Sequence, residues 1–200
     1  MTSFPETRAS LILRIADRGD DLAWGEFVRL YRPAIYQLAC RRGLQHADAE
    51  ELAQEAMLAV SRAVQMWSPD PRRGRFRNWL ARITQNLWIN FRSRRKYRAW
   101  GTGNPEMHSL LNGIGDPSTA LSQLFEFEYR RAIFQLAAKQ VQTEVTAKTW
   151  QAFWLSSIDE LPMAEVANRL DVSVGAVYIA RNRVVARLRA EVRRIEESDV

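Results

Sequence analysis

The 200-residue sequence contains little that would support metal-dependent catalysis or a disulfide-stabilised fold. Cys40 is the only cysteine, so the chain can form neither an internal disulfide nor a cysteine-based zinc site. The two histidines, His46 and His108, are expected in a turn and in a linker, and no carboxylate cluster near the basic segment would hold a metal. We therefore expect no catalytic residue, no metal and no cofactor.

Long apolar runs are missing as well. No stretch approaches the roughly 20 apolar residues that span a bilayer, and the segment Met1–Asp20 lacks the apolar run and cleavage site of a signal peptide. A cytoplasmic protein without direct membrane insertion is therefore expected. Runs of alternating apolar residues, which are typical of β-strands, are also absent, so we expect an all-α fold.

Positive charge predominates, and it is carried almost entirely by arginine. The formal net charge is +6, and lysine occurs only at positions 96, 139 and 148. A basic protein favours an anionic partner, and arginine binds phosphates and guanine edges bidentately. A GC-rich genome would also raise the arginine content, so composition favours nucleic acid without establishing it.

Apolar residues that recur every three or four positions predict helices along most of the chain. Pro33 interrupts the first strong pattern, at 22–42, and predicts a kink or two shorter helices. Asp48 and Glu51 match a capping box at the start of the next helix. Six glycines and prolines and little periodicity predict a linker at 100–118. The remaining predicted helices cover about 76–97, 121–139, 146–157, 162–170 and 174–196.

The segment 162–189 has the pattern of a helix-turn-helix. Ala167 is small where two helices must approach closely, and Ser173 can cap the helix that begins at Val174. Polar and basic side chains remain on the outer side of the second helix, where they can bond to bases or phosphates. These candidates are Ser173, Tyr178, Arg181, Asn182, Arg183 and Arg187. An ordinary helical hairpin with a solvated basic face is the alternative.

Two further surfaces lie between residues 48 and 98. The first is the acidic stretch Asp48-Ala-Glu-Glu-Leu-Ala-Gln-Glu55. Taken alone, its carboxylates are explained by their favourable interaction with the helix dipole on a solvated face. The second, from Arg72 to Arg98, is basic and contains aromatic residues, so it can bind phosphates and stack on unpaired bases. Trp88 is the aromatic candidate for stacking, whereas Phe76 and Trp79 are more typical of a core.

In this order, the motifs resemble the extracytoplasmic-function (ECF) sigma factors of bacterial RNA polymerase, which belong to the sigma-70 family. The acidic stretch, followed by Gly74-Arg-Phe-Arg-Asn-Trp-Leu80, Ile83 and Asn86, is similar to their sigma-two domain. The tail Pro162-Met-Ala-Glu-Val-Ala-Asn-Arg-Leu170, with Gly175-Ala-Val177 beyond it, is similar to their sigma-four domain. The resemblance covers nearly the whole chain. One departure is Tyr178-Ile-Ala180, which replaces the basic and hydroxyl residues usual in the reading helix.

The resemblance implies two small helical domains joined by a flexible linker. The sigma-two-like helical bundle would cover residues 1–99 and the sigma-four-like helix-turn-helix residues 119–200, with the linker at 100–118 between them. A sigma factor directs core polymerase to promoters, holds the melted minus-ten strand and reads the minus-thirty-five element. The implied partners are core RNA polymerase, through its beta-prime clamp helices and its beta flap, promoter DNA and, as an open question, an anti-sigma factor.

The resemblance also assigns roles to single residues. Binding to the beta-prime clamp helices is implied for Asp48, Glu51, Gln54 and Glu55. Contact with the minus-ten DNA is implied for Arg72, Arg73, Arg75, Arg77, Asn78, Arg82, Asn86, Trp88, Arg92, Arg94, Arg95 and Arg98. The helix-turn-helix candidates given above would read the minus-thirty-five element. Two other classes stay open: a stand-alone regulator that binds duplex DNA without polymerase, and an enzyme acting on nucleic acid.

Overall fold

A computed structural model describes residues 9–17, 19–67, 76–97 and 119–197. Within these ranges the protein is helical and has no strand, which confirms the expected all-α class. The helices are α1 (Ala9–Ala16), α2 (Asp21–Arg41), α3 (His46–Ala63), α4 (Phe76–Tyr97), α5 (Thr119–Glu144), α6 (Ala147–Ser157), α7 (Met163–Leu170) and α8 (Val174–Glu197), with a 3-10 turn at Val64–Met66 after α3. None of these helices is both long and apolar enough to cross a bilayer.

The chain divides into two compact units, and the division falls inside α5. The first unit contains α1 to α4 and the part of α5 up to Ala132, while the second begins at Ile133 and contains α6 to α8. The sequence instead predicts a linker at 100–118, and these residues lie outside the described part of the chain. The start of α5 thus belongs structurally with the first unit.

The first unit has an aromatic and aliphatic core between α2, α3 and α4. The rings of Phe27 and Tyr31 lie 4.8 Å apart, and Phe76 at the start of α4 packs edge-on against Phe27 at 6.0 Å. Leu52 of α3 and Leu80 of α4 are fully buried in the same core. This packing buries one face of each of the three helices, and the opposite face of α3 is exposed.

Two local expectations about this unit are wrong: that Pro33 divides the first pattern into two shorter helices, and that Asp48 and Glu51 form a capping box. The helix α2 is continuous through Pro33, because buried residues on both sides, among them Tyr31 and Ile35, anchor it to the core. Tertiary packing outweighs the roughly 3 kcal/mol that an internal proline costs a helix. The capping box is also absent: α3 begins at His46, its N-cap is Gln45, and Asp48 lies within the first turn. At that position its carboxylate can still interact favourably with the positive end of the helix dipole.

The start of α5 is attached to the first unit by side chains. Tyr129 stacks on Tyr31 with ring centroids 5.0 Å apart. The buried carboxylate of Glu128 forms an ion pair with Arg41, although no hydrogen bond of normal geometry joins them. An aromatic contact therefore joins α5 to the middle of α2, and an ion pair joins it to the end of α2.

The second unit contains the predicted helix-turn-helix. Its core joins Ala152 of α6, Val166 and Ala167 of α7, and Val177 of α8. The turn passes through Asp171, whose φ of 50° is left-handed. Ser173 then caps α8, because its Oγ accepts a hydrogen bond from the backbone N–H of Ala176 at 3.1 Å. The small residue and the cap have the positions predicted from the sequence.

Candidate functional site

The acidic surface occupies the outer side of α3. Glu51 and Gln54 are exposed, and Asp48 and Glu55 are half-buried. The opposite face of the helix is buried in the core. Leu58, one turn further along, is also exposed, so an apolar side chain accompanies the carboxylates. We call Asp48, Glu51, Gln54, Glu55 and Leu58 the acidic face. It combines negative charge with apolar area on one rigid helix.

The basic helix α4 is less accessible than its sequence indicates. Arg77 is buried, forms an ion pair with Glu126 of α5, and lies 4.9 Å above the ring of Tyr129. Burial by itself disfavours its charge, but Tyr31 and Glu126 outweigh burial, so the pKa of Arg77 is raised above its ordinary value. Arg77 faces the interior of the first unit, and this position does not support the predicted contact with a DNA strand.

Asn86 is also an interior residue, with only 2% of its surface exposed. The other candidates on α4 extend further outward: Asn78 and Arg82 are half-buried, and Arg92 is exposed. Arg72, Arg73, Arg75 and Arg98 lie outside the described residues, and so do the side chains of Arg94 and Arg95. The described side chains that can meet a strand therefore lie along the whole of α4, and the most exposed of them, Arg92, is in its second half.

Trp88 lies between two arginines. The guanidinium of Arg42 lies 3.8 Å from its ring centroid and that of Arg92 lies 4.9 Å away. Burial and then the nearby charge of Arg92 lower the pKa of Arg42 below its ordinary value. Within the described residues, the Nη1 of Arg42 and the indole Nε1 of Trp88 have no hydrogen-bond partner. The guanidinium groups of Arg42 and Arg92 already pack on the indole ring, so a base could stack on Trp88 only if one of these arginines moved.

The polar candidates on α8 fall into two groups. Tyr178, Asn182 and Arg183 are exposed. Arg181 is instead held against α6, since its Nε donates a hydrogen bond to Ser157 Oγ at 3.1 Å. Arg187 is exposed but forms an ion pair of 2.9 Å with Glu144 at the end of α5.

Two exposed apolar residues at the start of α8 were not among the predicted contacts. Ile179 is 63% exposed and Val174 is 42% exposed. Helical spacing separates Ile179 from the face of the buried Val177 and Val184. The same spacing groups Val174 with Val177 and predicts that Val174 faces inward, and this prediction is wrong because Val174 lies in the first turn of α8 and is exposed. The contacts predicted from the sequence for this helix were polar or basic residues and the tyrosine at 178.

The second unit also has a groove of about 720 Å³ between α5, α6 and α7. Its walls include Phe134 and Ala138 of α5, Trp150 and Trp154 of α6, and Leu170 of α7. The indole of Trp154 is partly exposed there. By contrast, the described residues contain no group of three or more histidines, cysteines or carboxylates that could hold a metal ion.

Comparisons with known proteins agree on one family. The profile of Sigma-70 region 2 matches residues 27–98. The ECF RNA polymerase sigma factor SigE of Mycolicibacterium smegmatis is 33% identical over 162 residues, which are 80% of this chain and 58% of that protein. The ECF RNA polymerase sigma factor SigW of Bacillus subtilis is 30% identical over 185 residues, 88% of this chain and 92% of that protein.

A solved structure described as "Structure of CnrH in complex with the cytosolic domain of CnrY" is also similar. It is 23% identical and covers 90% of this chain and 94% of its own, with a TM-score of 0.36.

Proposed function

Since the chain belongs to the ECF sigma factors of the sigma-70 family, we propose that it directs core RNA polymerase to promoters and starts transcription there. The observation that carries the proposal is that one chain presents both an exposed acidic face on α3 and a helix-turn-helix with an exposed reading helix. A protein that joins a polymerase to DNA needs two such surfaces. Its role is to bind and position rather than to catalyse.

We assign core binding to the acidic face. Glu51 and Gln54 are exposed on a helix whose other side is packed in the core, so the backbone that carries them is already in place for docking. Carboxylates on a rigid helix complement a basic partner, and the exposed Leu58 adds apolar contact at their edge. The beta-prime clamp helices are the proposed partner.

We assign the minus-ten strand to the outer side of α4 and the arginine-rich segment before it. Asn78, Arg82 and Arg92 are the described side chains that reach the surface there. Arg92 can bind a phosphate while it stays stacked on Trp88, because a guanidinium bonds through its edge and stacks through its face. Arg77, Asn86 and Trp88 then support this surface from within.

We assign the minus-thirty-five element to α8. Asn182 and Arg183 are exposed next to each other, and a base contact by Asn182 with a phosphate contact by Arg183 fits the usual division of roles. Arg187 can join the phosphate contacts once Glu144 releases it. The groove lined by Trp150 and Trp154 is the proposed site for the beta flap, because an aromatic groove suits an apolar helix.

Transcription in vitro tests the proposal. The protein and core polymerase are incubated with genomic fragments, and the RNA start sites are mapped. Discrete starts that require both components are expected. Tight duplex binding by the protein alone, with no effect of core polymerase, would favour the stand-alone regulator, and cleavage of labelled DNA on adding magnesium would favour an enzyme. An anti-sigma partner would be sought afterwards by its ability to suppress these starts.

A further inference from the structure

The first two turns of the reading helix carry no charge. Residues 174–180 are Val-Gly-Ala-Val-Tyr-Ile-Ala, and the first arginine of α8 follows at position 181. In helix-turn-helix proteins the amino-terminal residues of the second helix meet the base edges. The part of α8 best placed to reach bases thus has few hydrogen-bonding groups, and Arg181 is engaged with Ser157.

That part of the helix nonetheless has a substantial exposed surface. Val174, Tyr178 and Ile179 expose 42%, 49% and 63% of their areas, and we call them the apolar strip. Single exposed apolar residues are common, but three on adjoining faces of two turns form a patch, and patches mark contact sites. Asn182, three residues after Ile179, lies on the same side of the helix.

Gly175 supports an external role for this surface. A Cβ added at this position would meet only Ser173 Oγ, at the ordinary contact distance of 3.9 Å. The fold therefore leaves room for a side chain, and alanine would favour the helix by up to about 1 kcal/mol. A glycine one turn before Ile179 lets another molecule approach the helix backbone closely.

We infer that the apolar strip recognises thymine by contact with its 5-methyl group in the major groove, with Ile179 at the centre. The inference rests on the proposed function and names the chemistry by which α8 selects its promoter. Thymine is the base that presents an apolar group in the major groove. The exposed cation Arg183 lies one residue beyond Asn182, where it can hold a phosphate beside that base.

Replacing thymine by deoxyuridine removes only this methyl group and therefore tests the inference directly. Each thymine of a mapped minus-thirty-five region is replaced in turn, and duplex binding by the full chain with core polymerase is measured. Wild-type protein should lose about fourfold in affinity at one or two positions, as expected for one buried methyl-sized group of about 0.8 kcal/mol. Ile179→Ala should lose a similar factor on the natural promoter and become insensitive to deoxyuridine at the same position.

Ile158→Ala is the matched control, because Ile158 is an exposed isoleucine of the same unit outside α8. It should keep both the affinity and the sensitivity to deoxyuridine. Circular dichroism should show all variants folded, since the side chains removed are exposed.

Two results would overturn the inference. The first is unchanged affinity for every deoxyuridine duplex, with Ile179→Ala binding like Ile158→Ala, which would mean that the strip serves another partner. The second is a deoxyuridine effect that persists in Ile179→Ala. In both cases, transcription from the mapped start would still support the proposed function. If wild-type protein and core polymerase together gave no discrete start, the proposed function itself would be refuted.

Discussion

Arg77 and Glu126, which are 49 residues apart in the sequence, form an ion pair that takes the first arginine of α4 out of solvent. The side chain of Arg77 is 4% exposed and that of Glu126 is 24% exposed. The pair joins α4 to the start of α5, and the ring of Tyr129 covers the guanidinium. A residue for which the family resemblance implies a DNA contact thus has buried contacts within the first unit.

Arg77→Ala should destabilise the first unit by about 3 kcal/mol, because it leaves the carboxylate of Glu126 without its cation and opens a cavity. Urea denaturation followed by tryptophan fluorescence measures the change. Arg131→Ala is the control, since Arg131 is an exposed arginine on α5 and a change of about 0.5 kcal/mol or less is expected there. Equal stability of the two variants would refute the structural role of Arg77.

Reversing the charge of Glu51 and Glu55 to lysine should weaken binding to core polymerase on the order of tenfold or more, since like charges would then face each other. Co-purification and a titration with labelled core measure this effect. Asp159→Lys, a reversal at an exposed site of the second unit, should leave binding unchanged. If core binding survives in the double variant while circular dichroism shows a native fold, the acidic face is not the polymerase contact.

Arg92→Ala should lower the affinity for single-stranded minus-ten DNA for all sequences alike, because a phosphate contact carries no base information. The slope of log affinity against log salt should fall by about 0.7, as expected for one phosphate on a single strand. The exposed Arg29 of α2 provides the comparison, and Arg29→Ala should preserve the slope. An unaltered slope for Arg92→Ala would place the phosphate contact elsewhere on α4.

Glu144→Gln should strengthen binding of duplex DNA by up to about fivefold, because it frees Arg187 from an ion pair with Glu144. An exposed ion pair of this kind contributes about 0.2–1 kcal/mol. The gain should be largest at low salt and should disappear in the double variant with Arg187→Ala. Glu165→Gln, which breaks the Arg169 pair on α7, serves as the control and should give no gain. A loss of affinity in Glu144→Gln would mean that the pair positions Arg187 for DNA.

Much of the architecture follows from local patterns in the sequence. The three-to-four spacing of apolar residues predicts the helices, since it reports which face of a helix can be buried. Ala167 and Ser173 mark the close approach and the cap of the helix-turn-helix, and both have these roles in the structure. Such features depend on neighbours within a few residues, so sequence is sufficient for them.

Access to the candidate site was decided by tertiary structure. Spacing shows that Arg77 and Trp88 lie on α4, but the groups that cover them, Glu126 and Arg42, come from α5 and from the end of α2. The same holds for Arg181, whose Nε donates a hydrogen bond to Ser157 of α6. A charged or aromatic side chain can bind a partner directly only if no residue from a distant segment of the chain already packs on it or bonds to it. The sequence by itself determined the helices and the surfaces they carry, and long-range packing decided which side chains on those surfaces remain free to bind.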